Sequence, residues 1–214
     1  MGKITAIEAC PRNKSRFAIT VDGEAWGTLD KISIKKGSLH VGDAITSHAW
    51  ETLARDAEAE AAYERALFYL DRGRRTQKQM LVYLARKGFS ESATQSATNK
   101  LLDYRYIDDE EFSQELVRQA TQHNKLGRRA IQSKLWQKGV ERDVIDDALS
   151  AYQPEDELEN AIHLGRKIAA RPCTDPQKAR RRLVQGLQAR GFSWELIQQV
   201  MEKLAAEDDD NTGE

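Results

Sequence analysis

Lys78, Arg129 and Arg181 stand 51 and then 52 residues apart, each inside a run of cations with almost no anions. Residues 72–87 hold six basic side chains and no acidic one, 118–142 hold seven against Glu141, and 166–190 hold eight against Asp175. Lysine and arginine in such runs make charge-assisted hydrogen bonds to phosphate oxygens or carboxylates, arginine with a bidentate fork. This is the chemistry of gripping a polyanion or an acidic protein surface. The candidate side chains are Arg74, Arg75, Lys78, Arg86, Lys87, Arg128, Arg129, Lys134, Lys138, Arg180, Arg181 and Arg182. One basic helix is ordinarily a solvated face, but three at a common register point to a common ligand. Arg128, Lys134 and Lys138 do not fall on one narrow helical stripe, although an exposed face is broad enough to hold them. Acidic stretches (51–64, 108–115 and 143–159) separate the basic ones, so a net charge of −1 conceals segregated surfaces.

Other chemistries find no support. Asp108 and Asp109 could form a carboxylate pair, but Asp108 followed by Glu111 has capping-box spacing and no third ligand is in sequence reach. His40, His48, His123 and His163 are scattered, without the spacing of a metal site or a triad. Cys10 and Cys173 lie far apart and read as ordinary thiols of a reducing compartment. Neither a phosphate-binding loop nor a dinucleotide glycine pattern is present. The expectation is a protein that is not an enzyme, with no cofactor and no metal. Trp26, Trp50, Trp136 and Trp194 could stack on bases or fill cores; Trp136 lies inside a basic helix.

The elements that carry the cations are marked by three glycines. YLARKGFSESA (83–93), KLWQKGVERDV (134–144) and GLQARGFSWEL (186–196) place Gly88, Gly139 and Gly191 after a basic residue, before an apolar one and four residues after a leucine. A left-handed glycine just past a helix end lets the chain turn back and satisfy the last carbonyls, bringing Leu84 to Phe89, Leu135 to Val140 and Leu187 to Phe192. Lys87, Lys138 and Arg190 complement the negative end of the helix dipole. Three copies predict a tandem repeat of helix, glycine turn and helix.

Apolar periodicity supplies a third helix to each unit, with an acid-rich first helix and a base-rich second. Thr76 is an expected N-cap, and so is Asp175, followed by Pro176 at the first helical position. Residues 3–30 differ: they are β-branched and short, with Asp22-Gly23 as a hairpin signal. A sheet of two or three strands is expected there, packed on something because it is marginal alone; residues 31–50 resist assignment. The predicted fold is mainly α: three tandem three-helix repeats forming an elongated curved body, with a small N-terminal antiparallel β subdomain. The expected boundaries are 1–50 for the β subdomain, 51–106, 107–153 and 154–206 for the repeats, and 207–214 for an acidic disordered tail. Apolar runs are too short for a membrane span and no signal peptide is apparent, so a cytoplasmic monomer is expected.

Three runs, LFYLDRGRRTQKQMLVYLARKGF (67–89), LLDYRYIDDEEFSQELV (101–117) and LGRRAIQSKLWQKGV (126–140), resemble the RecX family of bacterial RecA-modulating proteins. The resemblance covers roughly 58–204 and is weakest in the third unit. It implies tandem three-helix repeats that bind along the groove of the RecA–DNA filament, usually depressing ATP hydrolysis and strand exchange, with consequences for homologous recombination, DNA repair and the SOS response. The residues it carries over are Asp108 and Asp109, Gly127-Arg128 and Lys138-Gly139, mainly as fold signatures; it implies no catalytic residues. The N-terminal sheet resembles an extension found in only some members. The implied partner is the RecA nucleoprotein filament. Plain binding to single- or double-stranded DNA is the alternative, since basic helices also suit the major groove.

Overall fold

The computed structural model describes residues 1–11 and 13–212, and the side chains of all of these except 13 and 208–212. The β-branched segments form strands β1 (Gly2–Cys10), β2 (Asn13–Val21) and β3 (Glu24–Asp30), and Ala44–Ile45 adds β4. The sheet is antiparallel in the order β3-β2-β1-β4. Asp22 and Gly23 both take positive φ, 52° and 87°, as the two-residue hairpin between β2 and β3 requires. The unassigned stretch after β3 contains a short helix, α1 (Lys31–Lys36), whose N-terminus is capped by Asp30 accepting from the Ser33 N–H at 2.8 Å.

The sheet needs a cover, and α2 (Ser47–Leu70) provides it. Ala57 closes the sheet core of Ile4, Ile19, Val21, Leu29 and Ile45, with Trp50 and Leu53 packed beside it. Trp26 meets Trp50 edge-on, 5.9 Å between ring centres, a favoured aromatic geometry. Further along the same helix, Ala62 and Ala66 join a different core, with Met80, Leu84, Ala93, Ala97, Leu101 and Ile107. One 24-residue helix therefore serves the sheet with its first half and a helical bundle with its second. That bundle is completed by α3 (Gln77–Arg86) and α4 (Glu91–Asp103).

Two further bundles follow. Helices α5 (Asp109–Gln122), α6 (Arg128–Lys138) and α7 (Arg142–Ser150) enclose Val117, Ile131, Leu135, Val140, Ile145 and Tyr152. Helices α8 (Pro154–Ala169), α9 (Pro176–Ala189) and α10 (Trp194–Thr212) enclose Ala161, Ile162, Leu187, Phe192, Ile197 and Val200. Compactness divides the chain into two units, 1–75 with 80–107, and 76–79 with residues from 108 onward. The first turn of α3 thus groups with the second unit. The expected disordered tail begins at 207, yet α10 continues to Thr212 and Glu207 pairs with Arg166 of α8 at 2.6 Å; residues 213 and 214 lie outside the described residues. None of the described helices is long and apolar enough to cross a membrane.

Candidate functional site

The three glycines adopt left-handed backbone, with φ of 87°, 80° and 82° at Gly88, Gly139 and Gly191. The predicted chain reversal follows: Phe89, Val140 and Phe192 donate their N–H groups to the carbonyls of Leu84, Leu135 and Leu187 at 3.4, 3.2 and 3.3 Å. Two of the turns also receive another helix. A Cβ on Gly139 would lie 2.4 Å from Lys78 Cγ, and a Cβ on Gly191 would lie 2.3 Å from the backbone nitrogen of Ala130. Glycine is therefore required there for close approach as well as for φ.

The same joint is built twice around those glycines. The Thr76 hydroxyl donates to the Lys138 carbonyl at 2.6 Å, and the Gly127 N–H donates to the Arg190 carbonyl at 2.9 Å. A carboxylate then caps the incoming helix: the Gln77 N–H donates to Asp109 at 2.9 Å, and the Arg128 N–H donates to Glu157 at 2.7 Å. Glycine at the N-cap of α6 offers no side-chain acceptor, and Glu157 takes over that duty. Asp109 is the second acid of the pair read from sequence. Asp108 caps its own helix through the Glu111 N–H at 2.8 Å, whereas Asp109 caps α3. Burial holds the Asp109 carboxyl above its ordinary range, against the opposing pull of the Gln77 N–H. Among the described residues no cluster of His, Cys, Asp and Glu could hold a metal ion.

Lys78, Arg129 and Arg181 are exposed. Each precedes by two residues an apolar side chain of its bundle core, Met80, Ile131 or Leu183. Two residues are about 200° of helix, so all three cations leave from the side opposite the core. Lys78 rests its stem on Gly139 and keeps its ammonium outside. Arg86, Lys87, Lys134, Lys138 and Arg180 are exposed as well, and so is Arg74. The Lys87 ammonium lies 5.6 Å from the centre of the Tyr83 ring. Lys134 and Lys138 line a shallow groove with Gln119, Asn124 and Gln137. Glu195 faces Arg129: its carboxyl is held below its ordinary range chiefly by its own N–H and the Ser193 hydroxyl, with a smaller pull from Arg129.

Three expected ligand-binding arginines are instead built into the protein. The Arg128 guanidinium donates to the carbonyl of Leu149 at 2.9 Å and to that of Tyr152. It also pairs with Glu157 at 3.7 Å and lies over the Tyr152 ring. It stands seven residues before Leu135, which at about 100° per residue turns it toward the core side. The Tyr152 hydroxyl beneath it donates to the Leu126 carbonyl at 3.1 Å and accepts from Asn160 at 3.0 Å. Burial pushes that phenol up to about 12. Arg75 stacks on Tyr69 at 4.6 Å, and Tyr69 in turn stacks on Tyr83 at 3.9 Å. Arg182 folds back onto the Arg171 carbonyl at 2.5 Å.

Trp136 is 65% exposed. It lies seven residues after Arg129, which places both on one stripe of α6. The sequence shows Trp136 in a basic helix; that it faces solvent follows from its offset of five residues from Ile131 and one from Leu135, the buried pair of that helix. Glu157 escapes sequence reasoning, and Arg190 is legible only as a charge at a helix end, because the remaining contacts of both reach another bundle. The Arg190 guanidinium reaches the Asn124 carbonyl at 2.8 Å.

Comparison with known proteins gives one family throughout. The family models described as RecX first, second and third three-helix domain match residues 62–101, 108–149 and 155–201. A regulatory protein RecX of Bacillus cereus (strain B4264) is 31% identical, over 98% of this chain and 80% of the relative. One of Clostridium botulinum (strain Alaska E43 / Type E3) is 29% identical, over 95% of this chain and 96% of the relative. A crystal structure of regulatory protein RecX superposes with a TM-score of 0.70 at 27% identity, covering 94% of this chain and all of the other.

Proposed function

The chain belongs to the RecX family of regulatory proteins, and from that premise we propose that it binds the RecA–single-stranded DNA filament and lowers its ATP hydrolysis and strand exchange. It acts as a cytoplasmic monomer, without catalysis of its own, and so restrains recombination and the SOS response. The observation that carries the reading is the recurrence of an exposed cation at one helical position in three successive bundles, Lys78, Arg129 and Arg181. A polymer that repeats its phosphates or carboxylates along its length can satisfy such a series. Single exposed ion pairs contribute only about 0–1 kcal/mol each, so the grip depends on their number.

The test is the triple reversal Lys78→Glu, Arg129→Glu and Arg181→Glu, measured by RecA ATPase inhibition and by co-sedimentation with RecA on single-stranded DNA. Folding is checked by circular dichroism. Inhibition should fall strongly; a folded triple variant that inhibits as the wild type does refutes the assignment. The exposed Trp136 beside Arg129 favours a second reading, direct sequence-independent binding to single-stranded DNA through stacking and charge. That reading requires binding without RecA, with log affinity falling against log salt by about 0.7 per phosphate contacted on a single strand.

A further inference from the structure

Gly139 and Gly191 each receive the N-terminal turn of another helix, but Gly88 receives none. Among the described residues, a Cβ built on Gly88 meets nothing within 4 Å. The apolar residue that follows each glycine reports the same difference: Val140 and Phe192 are 3% and 2% exposed, whereas Phe89 is only half-buried. The Lys138 and Arg190 carbonyls accept from Thr76 and Gly127; among the described residues no hydrogen bond of this kind ends on the Lys87 carbonyl. The carboxylate is present too. Glu58, Asp109 and Glu157 each stand four residues before a fully buried small residue, Ala62, Ser113 and Ala161. Asp109 and Glu157 cap an incoming helix, while Glu58 holds the N–H and hydroxyl of Ser90 at 2.8 and 2.7 Å. A carboxylate has about four acceptor sites, so Glu58 can take a further donor.

We propose that Glu58, the Lys87 carbonyl, Gly88 and Phe89 form a docking socket for the N-terminal turn of a helix belonging to a partner protein, and that this partner is the filament-forming protein itself. The choice of partner rests on the function proposed above. The occupant is specified by the two filled joints: a hydroxyl or N–H donor at the N-cap, a free N–H at the first helical position for Glu58, and a small residue or flexible stem where the helix crosses the glycine. An acidic first turn is excluded by Glu58. A second copy of this chain has no matching second helix to offer. The N-termini of α3 and α6 are already engaged, and α9 is longer at that end, with Pro176, which lacks an N–H, at its first position under the Asp175 cap.

The experiment compares full-length wild type with Gly88→Asn in co-sedimentation with RecA on single-stranded DNA. Asparagine tolerates the left-handed backbone and its side chain enters open space, so folding and urea midpoint should stay close to those of the wild type. The added Cβ lies where a docked helix would pass, and affinity should fall about tenfold. Equal affinity overturns the socket. Absence of wild-type binding refutes the filament reading itself, which separates the two failures. A second arm does not depend on Gly88: Lys87→Cys, with Cys10→Ser and Cys173→Ser, is labelled with benzophenone maleimide and irradiated on the filament. Crosslinks to the first turn of a RecA helix support the socket. Crosslinks to a second copy of the chain, or none to RecA from a variant that still binds, overturn it.

Discussion

Replacing each of the three glycines by alanine should give three different losses of stability, although the sequence motif around them is the same. All three hold left-handed backbone near φ of 80–87°, and a Cβ in that conformation costs about 1–2 kcal/mol. For Gly88→Ala that is the whole effect, because the new methyl meets none of the described residues. For Gly139→Ala the methyl would lie 2.4 and 2.5 Å from Lys78 Cγ and Cβ. These atoms sit at the base of the side chain, so the first turn of α3 must move, adding about 1 kcal/mol or more. For Gly191→Ala the methyl would lie 2.3 Å from the nitrogen, 2.4 Å from Cβ and 2.8 Å from Cα of Ala130. Backbone cannot rotate away, so about 1–3 kcal/mol of overpacking is added and the Gly127–Arg190 hydrogen bond is strained as well. The predicted order of loss is Gly88 < Gly139 < Gly191, totalling about 1–2, 2–3 and 2–5 kcal/mol. Urea titration followed by tryptophan fluorescence and circular dichroism measures it. Equal losses at the three sites, or the largest loss at Gly88, would refute the claim that two of the turns are joints and one is open.

Arg128→Ala should cost about 2–3 kcal/mol by urea titration, because two carbonyls and the Glu157 carboxylate lose a charged donor, whereas Arg129→Ala should stay within about 0.5 kcal/mol. Tyr152→Phe should cost about 1–2 kcal/mol, because the Leu126 carbonyl loses its donor and Asn160 keeps only its bond to the Thr121 carbonyl. The native protein keeps the Tyr152 proton up to about pH 12, whereas an unfolded tyrosine loses it near pH 10. The folded state therefore binds more protons in that window, and stability falls as pH rises through it. Absorbance at 295 nm should show a phenol phase near pH 12, and Tyr152→Phe should remove that phase. The Asp109 carboxyl is raised by burial, so the folded state again holds the extra proton and stability falls as pH climbs through the carboxylate range. Asp109→Asn should flatten that part of the pH–stability curve, and a carboxyl resonance followed by NMR should titrate above the ordinary aspartate value until the substitution removes it.

The glycine motif, the hairpin at Asp22-Gly23, the Thr76 and Asp175 caps and the three-helix rhythm were readable because each depends on residues close in sequence. A left-handed turn needs only the glycine, the basic residue before it and the apolar one after it. What was not readable depends on neighbours from other bundles. Arg128 and Arg129 are adjacent and chemically identical, yet one serves as a structural strut and the other as an exposed cation. Helical phase alone could have separated them, since Arg128 shares the sector of Leu135 and Arg129 opposes Ile131. The targets of Arg128, the carbonyls at 149 and 152 and the carboxylate of Glu157, are 21, 24 and 29 residues away, beyond local pattern. Asp109 was legible as a cap but not as the cap of a different helix. The unassigned residues 31–50 became α1, β4 and the start of α2 because the sheet core recruits Ile45 and Ala57 from them and from the helix beyond.

These cases share a cause that bears on how the cations are used. A repeat protein must spend part of each module on joining the next, and here the joint consumes the N-terminus of the second helix, the segment that also carries the basic runs. Residues at the first helical position, such as Gln77 and Arg128, donate their N–H groups into the joint. Residues one step later, Lys78 and Arg129, are turned by about 100° and stay outside. The register of the joint therefore decides which of the two neighbouring residues remains available to a ligand. Moving the charge by one residue tests this directly. Placing arginine at 77 while removing it from 78, as Gln77→Arg with Lys78→Gln, keeps the net charge and should still lower filament affinity, because the new guanidinium is directed into the joint. Retained affinity in a folded double variant would mean that total charge, rather than its position on the helix, governs binding.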